Sequence, residues 1–455
     1  MNITGARCVE RWEAAHGRFL SLDDRVRAVI TWIDSSRDLA IERDRTESSG
    51  ETAGPLHGLL LGLKDNIETA GVRTTAGARF LSDNVPAENA HCVDLVTTRG
   101  AVIVAKLNMA ELAWGATTQN ETYGACRNPW NLGRIPGGSS GGSGAALAAR
   151  FCEASLGTDT GASVRVPAAL NGVVGLRPTF GAISNRGVIP VAFTQDAVGP
   201  MAPSAWDVAR LTESIVGYDE RDPYSVNRAM LAPTSLVGQP LTGLRVGVPN
   251  SFFFDDLDPA IEAQLDEFLR WVIARGAVIT PVVDFDQAQA FEHWTRIVQC
   301  EGAQVHENRL RTSPGDFSPD VFARISAGLE VPATELTRSL DWRQRYRHRL
   351  DRVFEDVDVI LTPVVPIDVP EVEGYDSRAQ TATLGRITYP WALHAGPTLS
   401  LPIGFHSDSG LPISAALSAG RWNEARLFQI ATAYQEYTSW HDRLPELLNQ
   451  AKERT

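Results

Sequence analysis

Lysine is nearly missing from this chain. Of its 455 residues only Lys64, Lys106 and Lys452 are lysine, so arginine supplies the other 39 of the 42 basic side chains. Arginine keeps its proton at any ordinary pH, whereas a buried lysine can lose it, so a lysine retained under such a bias stands out as a candidate base. Cysteine is scarce too. Cys8, Cys92, Cys126, Cys152 and Cys300 are odd in number, widely spaced and free of C-x-x-C pairs, which excludes a disulfide framework and predicts reduced thiols in a cytoplasmic protein. No uninterrupted run of about 18 apolar residues and no basic-plus-apolar leader is present, so neither a membrane span nor secretion is expected. Net positive charge is absent as well. A formal charge of −13 and a pI near 5.2 argue against nucleic acid as a partner.

What the chain has in place of these is two serine-bearing turns separated by a helix. The first, Gly137-Gly138-Ser139-Ser140-Gly141-Gly142-Ser143-Gly144, carries almost no side chain beyond hydroxyls and runs into an alanine-rich segment of helical propensity, residues 145–151. The second, residues 156–167, sets Ser163 behind the bend Gly161-Ala162, where consecutive backbone N–H groups can converge on one point. A Gly/Ser linker would not lead straight into a helix. A phosphate loop needs a Lys-Ser or Lys-Thr pair closing the glycine run, and none is present. The nucleophile elbow of α/β-hydrolases fits Gly138–Gly142 formally, but it must follow a strand, and residues 128–136 read as loop.

Along the chain, residues 1–54 read as an N-terminal helical segment, with a polar loop over 46–54. Leu59 to Leu63 is a short apolar run of buried-strand type ending on Lys64, and Ala101 to Ala105 is a second one ending on Lys106. Strand ends are where ligands bind in α/β sheets, although a side chain leaving a strand end commonly snorkels to solvent, and the two lysines are open to both readings. A helix over 258–276 is announced by Asp258 as N-cap, Pro259 in the first turn and Gly276 beyond the end. The arginines Arg343, Arg345, Arg347 and Arg349 are expected on a solvated helix surface.

Several stretches together resemble the amidase signature family of serine hydrolases. They are Gly62-Leu63-Lys64-Asp65-Asn66, Asn108-Met109-Ala110-Glu111, Asn128-Pro129-Trp130, Gly137 to Ser143, Asp159-Thr160-Gly161-Ala162-Ser163-Val164-Arg165 and Gly175-Leu176-Arg177-Pro178-Thr179, then Asp196 with Gly199-Pro200, and Ser400 to Gly404. The resemblance implies an α/β/α sandwich with a large mixed, mostly parallel central sheet covered by helices. It implies an amidase signature domain over 55–440 with its core in 60–210, followed by a tail, 441–455. It also implies a Ser-Ser-Lys triad, with Ser163 as nucleophile, Ser139 on a cis peptide as bridge and Lys64 as base. The amides of Thr160, Gly161, Ala162 and Ser163 would hold the oxyanion, and Ser140, Asp159 and Arg165 would brace the turns. None of the nine histidines lies in these stretches, so a neutral lysine must do a histidine's work.

Family position puts Trp114, Ile135, Leu170, Val191, Phe193 and Trp391 beside the triad. None is charged, which predicts a small neutral amide, anilide or carbamate as substrate, with no metal or cofactor and homo-oligomerisation left open. The chain departs from the family pattern in reading Gly161-Ala162-Ser163 where Gly-Gly-Ser is usual, so Ala162 is expected to be strained at positive φ. The alternatives are a glutaminase resembling the glutamine-using component of the tRNA-dependent amidotransferase, and a non-catalytic nucleotide-binding module. Against the first, the acid expected before a Thr-x-Pro is missing if Thr388-Tyr389-Pro390 is that motif, since Gly385 stands there.

Overall fold

The computed structural model describes residues 6–50, 54–374 and 376–452. Part of the expected polar loop (residues 51–53) and the last three residues of the tail lie outside the described residues. Eleven strands form one sheet. Across it they run Val29–Trp32, Val102–Leu107, Leu60–Lys64, Ala154–Asp159, Ala197–Ala202, Val174–Arg177, Thr398–Phe405, Pro412–Ala419, Val359–Pro363, Arg245–Pro249 and Val278–Val282. The sheet is mixed, as expected, but six of its ten pairings are antiparallel. The reason is local. Strand Ala197–Ala202 returns between Ala154–Asp159 and Val174–Arg177, and Thr398–Phe405 pairs with Pro412–Ala419 as a hairpin, so parallel pairing survives only towards the two flanks.

Strands Leu60–Lys64, Val102–Leu107 and Ala154–Asp159 are buried along their whole length, which is why they read as unbroken apolar runs rather than alternating ones. They lie side by side and parallel, so Lys64, Leu107 and Asp159 end at the same edge of the sheet. One face is covered by helices Cys8–Val26 and Gly141–Ala148, and the other by His91–Thr98, Ala205–Ile215, Pro259–Ala274 and Glu424–Tyr437. Asp258 caps Pro259–Ala274 by accepting from the Ala260 N–H at 2.8 Å, and Gly276 takes positive φ after its end, as the sequence predicts.

Several expectations are corrected. The N-terminal segment is not all helix, because Val29–Trp32 joins the sheet as an edge strand, and helix Ser36–Ser49 runs into the expected loop. Residues 156–159 of the second turn are the end of a strand, and helix Gly141–Ala148 begins inside the glycine run. Neither Lys64 nor Lys106 snorkels, since both are sealed from solvent. Arg343 and Arg347 are pinned rather than solvated: they donate to Thr194 Oγ1 and to the Leu393 carbonyl, and burial pulls Arg347 down to about 9. The five thiols are unpaired, and burial pushes Cys152 up to about 12.

The glycines of the first turn are needed for close approach. A Cβ on Gly142 would run into the Asn108 carbonyl and lie 2.5 Å from the Asn108 nitrogen and 2.6 Å from the Ala28 carbonyl, all backbone atoms with no freedom to move aside. Gly17, inside helix Cys8–Val26, has open space around it. Gly142→Ala is therefore expected to lower the denaturation midpoint sharply or abolish soluble expression, while Gly17→Ala raises stability by about 0.5–1 kcal/mol in a denaturant titration.

Candidate active site

Lys64 leaves the end of its strand inside the protein, and its amine meets oxygens only. Nζ lies 2.7 Å from Ser139 Oγ, 2.8 Å from Thr158 Oγ1 and 3.3 Å from the Thr158 carbonyl. Burial is the main influence on this amine and lowers its pKa to about 7, against the partly restoring pull of Asp196 and Asp159. No carboxylate pairs with it directly. Lys106 differs on this point: its Nζ lies 3.4 Å from Asp65 Oδ1 and donates to the Ile67 carbonyl and Thr74 Oγ1, so it is locked into the wall of the sheet.

Ser139 follows a cis peptide from Gly138. Its neighbour Ser140 joins the two turns, because the Ser140 N–H donates to the Ser163 carbonyl at 3.2 Å and Ser140 Oγ donates to the Thr158 carbonyl. Asp159 carries the second turn. Burial alone would raise its pKa, but Arg165 and Arg177 outweigh burial and hold the carboxyl at about 2. Arg165 donates to both Asp159 oxygens at 3.0 Å and to the Gly161 carbonyl at 2.6 Å, while Arg177 donates to the Asp159 carbonyl. Trp294 Nε1 donates to the Thr160 carbonyl at 3.1 Å, and Thr160 Oγ1 donates to Asp196 at 2.6 Å. These bonds turn the carbonyls of residues 160 and 161 towards the protein. The N–H groups of residues 160–163 donate to no acceptor among the described residues, and the Ser163 hydroxyl has no partner there either. Backbone donors are rarely left unspent in a buried turn, and four in succession form a ready anion-binding concavity.

Ser163 and this turn open onto a cavity of about 510 Å³. Residues 113–116 form one side of it, and Phe291, Trp294 and Val298 of helix Ala290–Thr312 face them. Trp114 lies on Gly302 of the same helix, where a Cβ would run into the indole. Arg324 at the end of helix Pro319–Ser326, and Arg378 with Thr381 in helix Ser377–Gly385, complete the wall with Tyr389. A larger cleft of about 1190 Å³ beside the N-terminal helix shares no residue with this cavity and includes none of Lys64, Ser139 and Ser163.

A family model described as Amidase matches residues 11–428. The chain belongs to the amidase family. A Glutamyl-tRNA(Gln) amidotransferase component from Roseiflexus sp. (strain RS-1) is 34% identical over 465 residues, covering 96% of this chain and 95% of the relative. Among solved structures, a chain from a vestigial protein complex that bears on the origins of an s-triazine catabolic enzyme superposes with a TM-score of 0.90 at 32% identity, covering 95% of both chains. The 6-aminohexanoate cyclic dimer hydrolase superposes with a TM-score of 0.87 at 27% identity, covering 97% of this chain and 96% of the hydrolase. The protein is therefore an amide hydrolase with the α/β fold of that family.

In this amidase, Trp114 and Val191 line the cavity and the other four expected pocket residues do not. Ile135 and Leu170 are packed in the core behind the serine turns, where Asn128 holds their carbonyls. Phe193 stacks on Tyr224, and Trp391 stacks on Phe253 inside a separate aromatic cluster. The expectation of an uncharged pocket is also corrected, because Arg324 and Arg378 line it. Thr158 sits near the end of strand Ala154–Asp159 with nothing in the sequence to mark it, while Trp294, Arg324 and Arg378 lie in helices without a motif.

Ala162 is not strained. It is absent from the residues at positive φ, and its methyl packs with Ala116, Ile135 and Val166. Ala162→Gly is thus expected to destabilise by about 0.5–1 kcal/mol through lost packing and added chain entropy, checked by chemical denaturation.

Proposed function

We propose that this amidase cleaves the C–N bond of small amides through an acyl-enzyme on Ser163, with Ser139 relaying the proton to Lys64. The observation that carries the reading is a fully buried lysine, its pKa lowered to about 7 by that burial, in contact with a serine. Three oxygens surround Nζ and can accept all three N–H groups of the ammonium; once the amine is neutral, Thr158 Oγ1 and the Thr158 carbonyl take its two N–H donors and the lone pair is left to accept from the Ser139 hydroxyl.

The Ser139 oxygen, on giving its proton to Lys64, takes the proton of Ser163 as Ser163 Oγ bonds to the substrate carbonyl carbon. The oxyanion so formed is held by the N–H groups of Thr160, Gly161, Ala162 and Ser163, each well-aimed donor contributing roughly 3 kcal/mol. The relay then runs backwards. The amine departs with the proton, the C–N bond breaks, and water attacks the ester by the same route. Ser140, Asp159 and Arg165 hold the turns in this arrangement. A carbamate presents the same kind of carbonyl to Ser163 and is open to the same attack. The five unpaired thiols fit a reducing, cytoplasmic setting.

A second reading is favoured by a specific observation. The curated relatives that match over nearly the whole chain are components of the Glutamyl-tRNA(Gln) amidotransferase, so a glutaminase working beside protein partners remains a competing assignment. Stable co-purification with partner proteins, and ammonia release from glutamine that depends on them, would select it over a stand-alone hydrolase.

Because the neutral amine is the active form, kcat/KM is expected to rise with pH through about 7 and to level off above it. Ser163→Ala should abolish both turnover and labelling by a fluorophosphonate. Lys64→Ala should leave a slow enzyme whose rate keeps climbing with pH as hydroxide replaces the base. Labelling at Ser139 or Ser140 with Ser163 untouched would reverse the assignment of the two serines.

A further inference from the structure

The charged residues that line the cavity are both cations. Arg324 uses Nε and Nη2 on Asp320 at 2.9 Å and reaches Ser377 at 3.4 Å, which sets it beside Arg378. Arg378 is exposed, and its guanidinium has no hydrogen-bond or ion-pair partner among the described residues. The helix that carries Arg378 is fixed to the serine side of the cavity, because Thr381 Oγ1 accepts from the Ala116 N–H at 3.2 Å and the Thr381 carbonyl accepts from Tyr389 Oη at 3.1 Å.

No carboxylate among the described residues lines the cavity, and those around it are committed elsewhere. Asp320 takes Arg324. Asp376 caps helix Ser377–Gly385 through the N–H groups of Arg378 and Ala379. Asp196 is taken up by Thr160, Val191 and Ala192, Asp159 by its two arginines, and Glu301 by Thr194. At Gly385 a side chain could not enter at all, since a Cβ there would run into the Tyr389 ring. An anionic group on a bound substrate would meet the free guanidinium of Arg378, whose fork suits a planar carboxylate, with the Asp320-paired Arg324 beside it, whereas an ammonium group would be desolvated there without a partner.

We propose that the substrate is a small amide carrying a carboxylate and no α-ammonium group, and that Arg378 with Arg324 selects it. This rests on the acyl-enzyme reading of the same site. It separates the chain from a glutaminase, because free glutamine brings an ammonium into a cavity with nothing to receive it.

The test is a series of matched amides: monoamides of dicarboxylic acids from malonamate to adipamate, the corresponding neutral diamides, and asparagine and glutamine. For at least one chain length, kcat/KM of the monoamide is expected to exceed that of its diamide and of the matching amino acid by about tenfold or more, and Arg378→Ala should collapse the monoamide-to-diamide ratio, mainly through KM. Arg378→Lys should retain part of it. Diamides or glutamine turned over as well as every monoamide, or a ratio unchanged in Arg378→Ala, would overturn the proposal. Fluorophosphonate labelling of Ser163 is measured in parallel. Labelling without anion preference sinks the substrate class alone, and absence of labelling sinks the acyl-enzyme reading beneath it.

Discussion

Asp159 is closed off from water at the end of a central strand, with one arginine from its own turn and a second from the strand Val174–Arg177. An ionised carboxylate in such a place is tolerable only because every lone pair is used. Its bonds to Arg165, Arg177 and the Val164 N–H hold the chain in a tight loop, and Arg165 pulls the Gly161 carbonyl inward. From that follow the inward Gly161 carbonyl and the place of Ser163 on the cavity wall. Removing one partner would leave charge buried without compensation, which disorders the turn rather than merely weakening it. The geometry around Ser163 therefore depends on an ion cluster that does not line the cavity.

The two buried lysines show how the same side chain is put to opposite ends by its neighbours. Lys106 faces Asp65 and is tied down by it, with burial and the carboxylate pulling its pKa in opposite directions. Lys64, one strand over, is given only hydroxyls and a carbonyl, and the nearest carboxylates act on it from a distance. The loss of hydration is thus left nearly unanswered at Lys64. Of the two, Lys64 alone stands where a firmly protonated guanidinium would be left without a carboxylate.

Much of this site can be read in the sequence because its parts are local. The glycine run must be glycine where backbone approaches backbone, as Gly142 shows against Asn108 and Ala28. The apolar run before Lys64 marks a strand buried on both faces, and Asp258 with Pro259 marks a helix start. The cavity is less legible. Its far wall comes from helices 130 to 220 residues beyond the serine turns, and Trp294, Arg324 and Arg378 are ordinary helical residues until the fold brings them opposite Ser163. Ile135, Leu170 and Trp391 are apolar for the usual reason that they fill the core, and nothing local distinguishes such a residue from one that touches substrate. The direction of the strands escaped the sequence as well, because pairing depends on which distant segment returns beside which.

Gly302 gives that far wall a property of its own. It supports the Trp114 indole from behind without lining the cavity, and there is no space between them for even one carbon. A methyl at 302 has no route but to shift the ring, so the width available beside Ser163 is set by a residue that never meets the bound molecule. Lys64 stands at a strand end and Ser163 in the turn that follows another strand, whereas this spacer sits on helix Ala290–Thr312. The width of the cavity can change through substitutions on that helix while the strand ends stay as they are, so the cavity wall and the serine turns occupy separable layers of one fold.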